Sequence, residues 1–254
     1  MRVLELFSGT GSVGNVCKSM NYDVVSLDLD FTADINVDIL DWSYTEYPVG
    51  YFDIIWASPP CTTFSNLRRS WIGRKFKKHG DKVITKEILD LDMMEGVKLL
   101  NKTKEITKYF QPRYWFIENP ATGRMKEFNT ELPFYDVDYC KYGFAYKKRT
   151  RIWTNLQNFN AQRCNRDCAA IMIIYDEKKQ KERILHANNT GNSEKLSALM
   201  NAKHVIKYPT NTAITYGVKP HTIEAYRIPY ALIYELFSGI QNPTIADSES
   251  THRD

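Results

Sequence analysis

One cysteine of this chain lies where a reactive thiol is expected. Cys61 follows Ser58, Pro59 and Pro60 at the end of an apolar run, and the two prolines fix their φ angles and stiffen the turn. A thiol acts as a nucleophile when its thiolate is accessible, and nearby cations favour the thiolate. A basic segment follows within a few residues. Cys61 is therefore a candidate nucleophile, although a single cysteine is more often an inert buried thiol.

Three further side chains could act with this thiol. Glu118 follows the apolar run Tyr114–Ile117, where it could protonate or hydrogen-bond a bound base. Arg149 and Arg151 alternate on a predicted strand, so they point to one face and can reach an anionic or carbonyl oxygen. A thiol, a carboxylate and two guanidinium groups at one sheet edge indicate a catalytic site.

A second group of residues suits a nucleoside-like cofactor. The turn after the first apolar run is rich in glycine and opens a helix, so backbone and N–H groups can approach a ligand. A carboxylate at Asp28 can accept hydrogen bonds from ribose hydroxyls, and one at Asp38 suits an adenine amino group. The predicted cofactor contacts are Phe7, Ser8, Gly9, Thr10, Gly11, Ser12, Asp28, Leu29, Asp38, Ile39, Ser58 and Pro59.

Short apolar runs place these residues at the ends of predicted strands. The strands are predicted at residues 3–7, 22–27, 35–39, 52–57, 114–117, 135–142 and 151–154. Helical spacing indicates helices over 13–20, after Thr85 and over 226–237. Strands that alternate with helices predict an α/β fold with a mostly parallel sheet and helices on both faces. Ligands bind at the carboxyl ends of the strands in such a sheet.

Composition and charge agree with an intracellular, soluble protein. The 254 residues are 43% hydrophobic and 25% charged, with no apolar run near the roughly 20 residues that span a membrane. Five cysteines, an odd number at irregular spacing, argue against a disulfide framework. The formal charge of +4 is mild.

Basic residues nevertheless cluster beside the candidate chemistry, at 68–78 and again at 147–151, where they could line a phosphate backbone. The alternative is two solvated loops. The predicted nucleic-acid contacts are Ser65, Arg68, Arg69, Arg74, Lys75, Lys77 and Lys78.

In their order along the chain these motifs resemble the DNA cytosine carbon-5 methyltransferase family, and most of all its small phage or viral members. Residues 7–11 resemble the cofactor loop, Pro59-Pro60-Cys61 the nucleophile motif, Glu118-Asn119 the base-protonating motif, and 147–151 the arginine pair. The chain departs from the family pattern at Thr62, Pro120 and Lys147, and in the final motif at 225–229.

The resemblance implies a Rossmann-like fold that binds S-adenosylmethionine, and a monomer that acts on double-stranded DNA in a prokaryotic or phage-infected cell, with no membrane partner. Cys61 would attack carbon-6 of a flipped-out cytosine while Glu118 interacts with ring N3 and the amino group. Arg151 would hold the base O2 and orient Glu118, and Arg149 would brace the Cys61 loop. The loop Thr62–Asp81 would close over the base.

The resemblance implies a catalytic and cofactor-binding domain over 1–154 and a small target-recognition lobe over 155–215, where the regular alternation of strands and helices also fades. Helical apolar spacing places a C-terminal helix within 216–242, and the lack of apolar residues near the C-terminus predicts a disordered tail over 243–254. Within the lobe, Cys164 and Cys168 with His186 and His204 could ligate zinc. Their spacing matches no strong zinc signature, so packing cysteines are favoured and no metal is expected.

Two alternatives remain open. The chain could be a tRNA cytosine methyltransferase, which would use the same chemistry, although RNA is the less favoured substrate of this chain. A catalytically silent DNA-binding relative would explain the altered motifs, but the retention of Cys61, Glu118, Arg149 and Arg151 argues against it. Amino-directed DNA methyltransferases are disfavoured because their strand-end motif typically closes with an aromatic residue after Pro-Pro.

Overall fold

The computed structural model describes residues 1–30, 32–77, 80–177, 179–188, 205–210 and 222–241. They divide into two compact units. The first unit comprises Met1–Tyr135 and Thr150–Asn155, and the second comprises residues within Asp136–Arg149 and Leu156–Asp254. No helix in the described part of the chain is long and apolar enough to cross a membrane. The domain boundaries at residues 154, 215 and 242 stay a prediction.

The larger sheet has seven strands, and its residues belong to the first unit except for residues 136–138 and Arg149. Its strands are β1 (Arg2–Leu6), β2 (Asp23–Asp28), β3 (Ile35–Asn36), β4 (Ile54–Ala57), β5 (Tyr114–Pro120), β6 (Phe134–Asp138) and β7 (Arg149–Thr154). Their order is β3-β2-β1-β4-β5-β7-β6. The pairs of β1 with β2 and β4, of β2 with β3 and of β4 with β5 are parallel, whereas β7 pairs antiparallel with β5. The predicted mostly parallel α/β sheet is confirmed.

The register brings four strand ends to one edge of this sheet. Leu6 pairs with both Leu27 and Ala57, and Ala57 pairs with Ile117. The residues that come next along each strand (Phe7, Asp28, Ser58 and Glu118) therefore start from the same edge. Every residue of β4 is buried, which requires cover on both faces and explains its uninterrupted apolar sequence.

Helix α1 (Ser12–Ser19) packs against β1 and β2, and the long helix α2 (Lys86–Phe110) lies further along the chain. The hydroxyl of Thr85 caps α2 by accepting from the backbone N–H of Ile88 at 3.4 Å. Met93, Val97 and Leu100 form its buried stripe, as predicted, and Gly96 lies in the same stripe.

Two predicted strands are shorter than the sequence pattern suggested. The strand expected over 35–39 ends at Asn36, because the Asp38 carboxylate accepts the N–H of Leu40 and turns the chain. The strand expected over 135–142 ends at Asp138 and continues as a 3-10 turn over Tyr139–Tyr142, which Gly143 closes at φ 99°.

The second unit contains a three-stranded antiparallel sheet of β8 (Ile171–Asp176), β9 (Lys181–His186) and β10 (Val205–Lys207) in the order β10-β8-β9. Helices α3 (Thr222–Tyr226) and α4 (Tyr230–Gln241) follow, so the family's final motif at 225–229 spans the end of α3 and the connection to α4. The tail predicted to be disordered, 243–254, lies outside the described residues.

Candidate active site

The turn that carries Cys61, residues 58–65, is called the cysteine turn below. Its first residue is fixed by two hydrogen bonds: the N–H of Ser58 donates to Leu6 O at 3.2 Å, and Trp56 Nε1 donates to Ser58 Oγ at 3.0 Å. Phe64 is fully buried, whereas Cys61 is half-buried. The turn is therefore anchored at both ends, and its thiol lies between them.

Asn119 ties the cysteine turn to the end of β5. Its Nδ2 donates to Pro59 O at 2.8 Å, and the side chain is 1% exposed. Nearby, the backbone N–H of Arg124 donates to Phe64 O at 2.9 Å. Because Pro59 lies two residues before Cys61, this buried hydrogen bond fixes the turn relative to Glu118 and its strand. The motif containing Asn119 was recognised in the sequence, but this positioning role was not.

Glu118 is buried near the carboxyl end of β5, with 6% of its surface exposed. In the antiparallel register with β7 it lies opposite Ile152, while Arg151 lies opposite Asn119. The guanidinium of Arg151 lies 3.5 Å from the centre of the Phe134 ring, a cation–π contact. Cys61, Glu118 and Arg151 thus all belong to the first unit, and Arg151 pairs with Asn119, the residue that follows Glu118.

Arg149 belongs to the second unit, where a buried carboxylate holds it. Its Nε and one terminal nitrogen donate to the two oxygens of Asp138 at 3.0 Å each, in the bidentate geometry of a strong pair. Asp138 is fully buried; burial opposes its ionisation, but the hydrogen bond from Arg149 lowers the pKa of the carboxyl below its usual value. The predicted role of Arg149 toward the Cys61 loop stays a prediction.

The glycine-rich turn after β1 has an unusual backbone. Phe7, Gly9 and Gly11 have φ angles of 58°, 46° and 64°, and the positive value at Phe7 is rare for a bulky residue. The N–H of Gly9 donates to Asp28 Oδ2 at 2.9 Å, which joins the turn to the end of β2. Thr10 and Ser12 share a hydrogen bond of 2.8 Å between their hydroxyls.

The carboxylate of Glu5 holds the start of the helix that follows this turn, a role that the sequence did not predict. Although it lies in an apolar strand, it is 3% exposed, and its carboxylate accepts the N–H groups of Val13 at 3.1 Å and Gly14 at 2.8 Å. Burial raises the pKa of Glu5 to about 7, and the two backbone hydrogen bonds oppose that rise. A charged residue inside the run Val3–Leu6 was the available signal, since unpaired carboxylates are almost never buried.

The remaining cofactor candidates lie around the same sheet edge. Leu29, directly after Asp28, is 68% exposed, and Ile39 is buried. Asp38 is half-buried, and Pro59 is buried. Together with the turn, these residues offer backbone N–H groups, two carboxylates and an uncovered apolar side chain.

The basic stretch, residues 65–78, differs from expectation at one position. Arg68 is 6% exposed, forms an ion pair with Asp92 on α2 and lies 5.0 Å from the Trp71 ring centre. It therefore anchors the stretch. Exposed side chains are found at Arg69, Arg74, Lys75 and Lys77, while Ser65 caps a 3-10 turn and Lys78 lies outside the described residues.

In the second unit, the three metal candidates Cys164, Cys168 and His186 lie together with Cys140, which the sequence reasoning had not included. His204 lies outside the described residues.

Comparison with known proteins identifies the family. No protein-family model matches the chain. Over 168 residues it is 45% identical to the "Probable DNA (cytosine-5)-methyltransferase" of Frog virus 3 (isolate Goorha), in an alignment that covers 65% of this chain and 75% of that relative. The chain therefore belongs to the DNA (cytosine-5)-methyltransferase family, as its motifs predicted, and the relative is viral.

Two solved structures are similar at low identity. A candidate DNA modification methyltransferase encoded within an E. coli prophage is 17% identical with a TM-score of 0.39, over 61% of this chain and 46% of that one. The S. pombe Dnmt2 methyltransferase is 16% identical with a TM-score of 0.40, over 66% and 52%. The chain spans about half the length of each. The sheet described above is of the predicted Rossmann-like methyltransferase type.

Proposed function

We propose that this chain transfers a methyl group from S-adenosylmethionine to carbon-5 of cytosine in double-stranded DNA, through a covalent adduct with Cys61. One observation carries the proposal beyond family membership. A half-buried thiol is held against the strand that bears a buried carboxylate, because Asn119 donates to Pro59 O at 2.8 Å. Cys61 and Glu118 therefore approach one substrate from neighbouring strand ends.

The residues at the edge of β1 and β2 fit the proposed cofactor. Asp28 receives the Gly9 N–H on one oxygen and the Asp30 N–H on the other, and each oxygen keeps a second lone pair for a ribose hydroxyl. Leu29, 68% exposed, offers an apolar surface for a purine ring. Asp38 remains the candidate for the adenine amino group. When bound, S-adenosylmethionine supplies an electrophilic methyl group.

The protein's own groups would act on the base in sequence. The Cys61 thiolate adds to carbon-6 and forms a C–S bond, while the C5–C6 π electrons shift toward carbon-5 and N3. Glu118, hydrogen-bonded to N3 and the exocyclic amine, stabilises the charge that develops there. Carbon-5 would then take the methyl group as the bond from that group to the sulfonium sulfur breaks and S-adenosylhomocysteine leaves. A base would remove the carbon-5 proton while the C–S bond to Cys61 breaks, which restores the C5–C6 double bond and releases the thiolate.

The target base must leave the double helix for these groups to reach it, as for other enzymes that modify bases. We infer that the exposed cations of the basic stretch (Arg69, Arg74, Lys75 and Lys77) hold the flanking phosphates. Arg68 is excluded from that role by its burial and its pairing with Asp92.

Radiolabelled S-adenosylmethionine with either duplex DNA or tRNA tests the proposal. Wild type and Cys17→Ala, which removes a buried thiol of the same unit, should label DNA in 5-methylcytosine; Cys61→Ala should not. Thermal unfolding of both variants checks that they fold. Label in tRNA alone would refute the DNA substrate, and no label in either nucleic acid would refute the enzyme in favour of a silent DNA-binding relative.

A further inference from the structure

Four side chains of the second unit point their metal-binding atoms at one another. The Sγ atoms of Cys140, Cys164 and Cys168 and an imidazole nitrogen of His186 all lie within 4.8 Å of one another. Cys164 Sγ lies 3.4 Å from His186 Nε2. Ligand atoms of a tetrahedral zinc site, with bonds of about 2.3 Å to sulfur and about 2.0 Å to nitrogen, lie about 3.5–3.8 Å apart. Closing on an ion would take movements of about 1 Å or less.

The fold brings these residues together from three separate segments. Cys140 lies in the 3-10 turn after β6, and Cys164 and Cys168 bracket the loop that leads into β8. His186 ends β9 and pairs with Ile171, the first residue of β8. The ligands therefore join three segments that are distant in sequence, so an ion bound here would cross-link them.

The apolar packing around the cysteines is sparse. Ala170 is the other buried residue of this cluster, and the half-buried Ile171 packs against it. The large side chains that fill the core of the first unit, such as Trp153 and Phe110, have no counterpart among the described residues of this cluster. Three sulfur atoms and one methyl group bury little apolar surface, so a bound ion would supply cohesion that this cluster lacks, while larger side chains of the second unit such as Met172 and Phe237 are buried outside it.

The surroundings also suit thiolate ligands. The N–H of Arg166 donates to Cys164 Sγ at 3.3 Å, where the chain takes a φ of 66°, and such N–H donors stabilise negative sulfur. The N–H of Cys164 itself donates at 2.8 Å to Asp138, the carboxylate that holds Arg149. A cavity of about 350 Å³ is lined partly by Cys140 and Cys168.

We propose that Cys140, Cys164, Cys168 and His186 bind one Zn²⁺ ion that joins three segments of the second unit. Three thiolates and one neutral imidazole are a ligand set of structural zinc sites, and all four positions are filled by protein, which leaves none for a substrate. The ion is structural and does not depend on the methyl-transfer proposal. All five cysteines of the chain are thiols, so no disulfide competes for these sulfur atoms.

Metal content of the purified full-length chain tests this site directly. We expect one equivalent of zinc by elemental mass spectrometry in wild type and in Cys17→Ala, the control for removal of a buried thiol elsewhere. Cys164→Ser and His186→Gln should each lose most of that zinc. Sub-stoichiometric zinc in wild type, or full occupancy in both ligand variants, would overturn the proposal, and so would an iron–sulfur chromophore.

A measurement on wild type covers the case in which the ligand variants do not fold. Replacing zinc by Co²⁺ should give the visible bands of tetrahedral cobalt and a strong sulfur-to-cobalt charge-transfer band. Alkylation of the folded protein should spare Cys140, Cys164 and Cys168 until a chelator is added, and then reach all three. Octahedral cobalt spectra, or equal alkylation with and without the chelator, would refute the site.

Discussion

Replacing Glu5 by glutamine tests whether a buried carboxylate organises the glycine-rich turn. Glu5 is 3% exposed, and its two oxygens accept the N–H groups of Val13 and Gly14 at the start of α1. Burial raises its pKa from 4.5 to about 7 despite those hydrogen bonds. Glutamine keeps one oxygen acceptor and cannot ionise. It therefore removes the protonation equilibrium of this side chain and weakens one of its two hydrogen bonds to the backbone.

The size and sign of the effect follow from this pKa. A carboxyl group with a raised pKa binds its proton more tightly in the folded state, so its contribution to stability is complete below about pH 4.5 and is lost as the pH rises through about 7. The difference between 4.5 and about 7 corresponds to about 3 kcal/mol of unfolding free energy. The lost hydrogen bond adds an offset of about 1 kcal/mol that does not vary with pH.

Urea unfolding at several values between about pH 5 and about pH 8 measures this effect. Wild type should lose up to about 3 kcal/mol relative to Glu5→Gln as the pH rises. Glu105→Gln is the control, since hydrogen bonds from Lys102 and Tyr44 lower the pKa of this exposed carboxyl. Its contribution to stability is lost only as the pH falls below about 4.5, so it should stay nearly constant over this range. Parallel curves for wild type and Glu5→Gln would refute the account of Glu5.

Three further substitutions probe how the cysteine turn and the basic stretch are held. In Gly96→Ala the added β-carbon would lie 3.0 Å from a ring carbon of Phe64 in the cysteine turn. We expect the free energy of unfolding in urea to fall by about 1–3 kcal/mol, and kcat to fall as well. Wild-type values for both would contradict this packing. Asn119→Ala leaves a buried carbonyl without its donor and should cost about 1–3 kcal/mol, whereas Asn66→Ala, which removes a similar but exposed hydrogen bond of 2.8 Å, should cost less in the same assay. Arg69→Ala should reduce the slope of log affinity for DNA against log salt concentration by about 1 and leave the unfolding temperature unchanged. Arg68→Ala should instead lower the unfolding temperature, because Arg68 is buried. The reverse pattern would contradict the assignment of Arg69 to phosphate binding and of Arg68 to anchoring the stretch.

The sheet edge could be predicted because its signals are local. The strand β4 is an uninterrupted apolar run buried on both faces, and the apolar runs of neighbouring strands end at residues of the candidate site such as Asp28 and Glu118. Parallel pairing then brings those ends together without any further information. Motif order along the chain supplied the family, which the 45% identical relative confirms.

The features that were missed depend on contacts between distant segments. A charge pattern cannot distinguish a solvated arginine from Arg68, whose partner Asp92 lies 24 residues away on α2. Cys140 lies 24 residues before Cys164 in a segment predicted to be a strand, so no short spacing connects it with the other metal candidates. The inward direction of Glu5 follows from the packing of α1 on β1 rather than from its neighbours in sequence.

Trapping of a covalent complex tests the central claim most directly. DNA that carries 5-fluorocytosine cannot lose a proton from carbon-5 after methylation, so the bond between Cys61 and carbon-6 should persist in the presence of S-adenosylmethionine. Wild type and Cys17→Ala should give a denaturation-resistant complex, with the adduct mapped by mass spectrometry to the peptide containing Cys61. A complex that forms equally in Cys61→Ala, or whose adduct maps to another residue, would contradict Cys61 as the nucleophile.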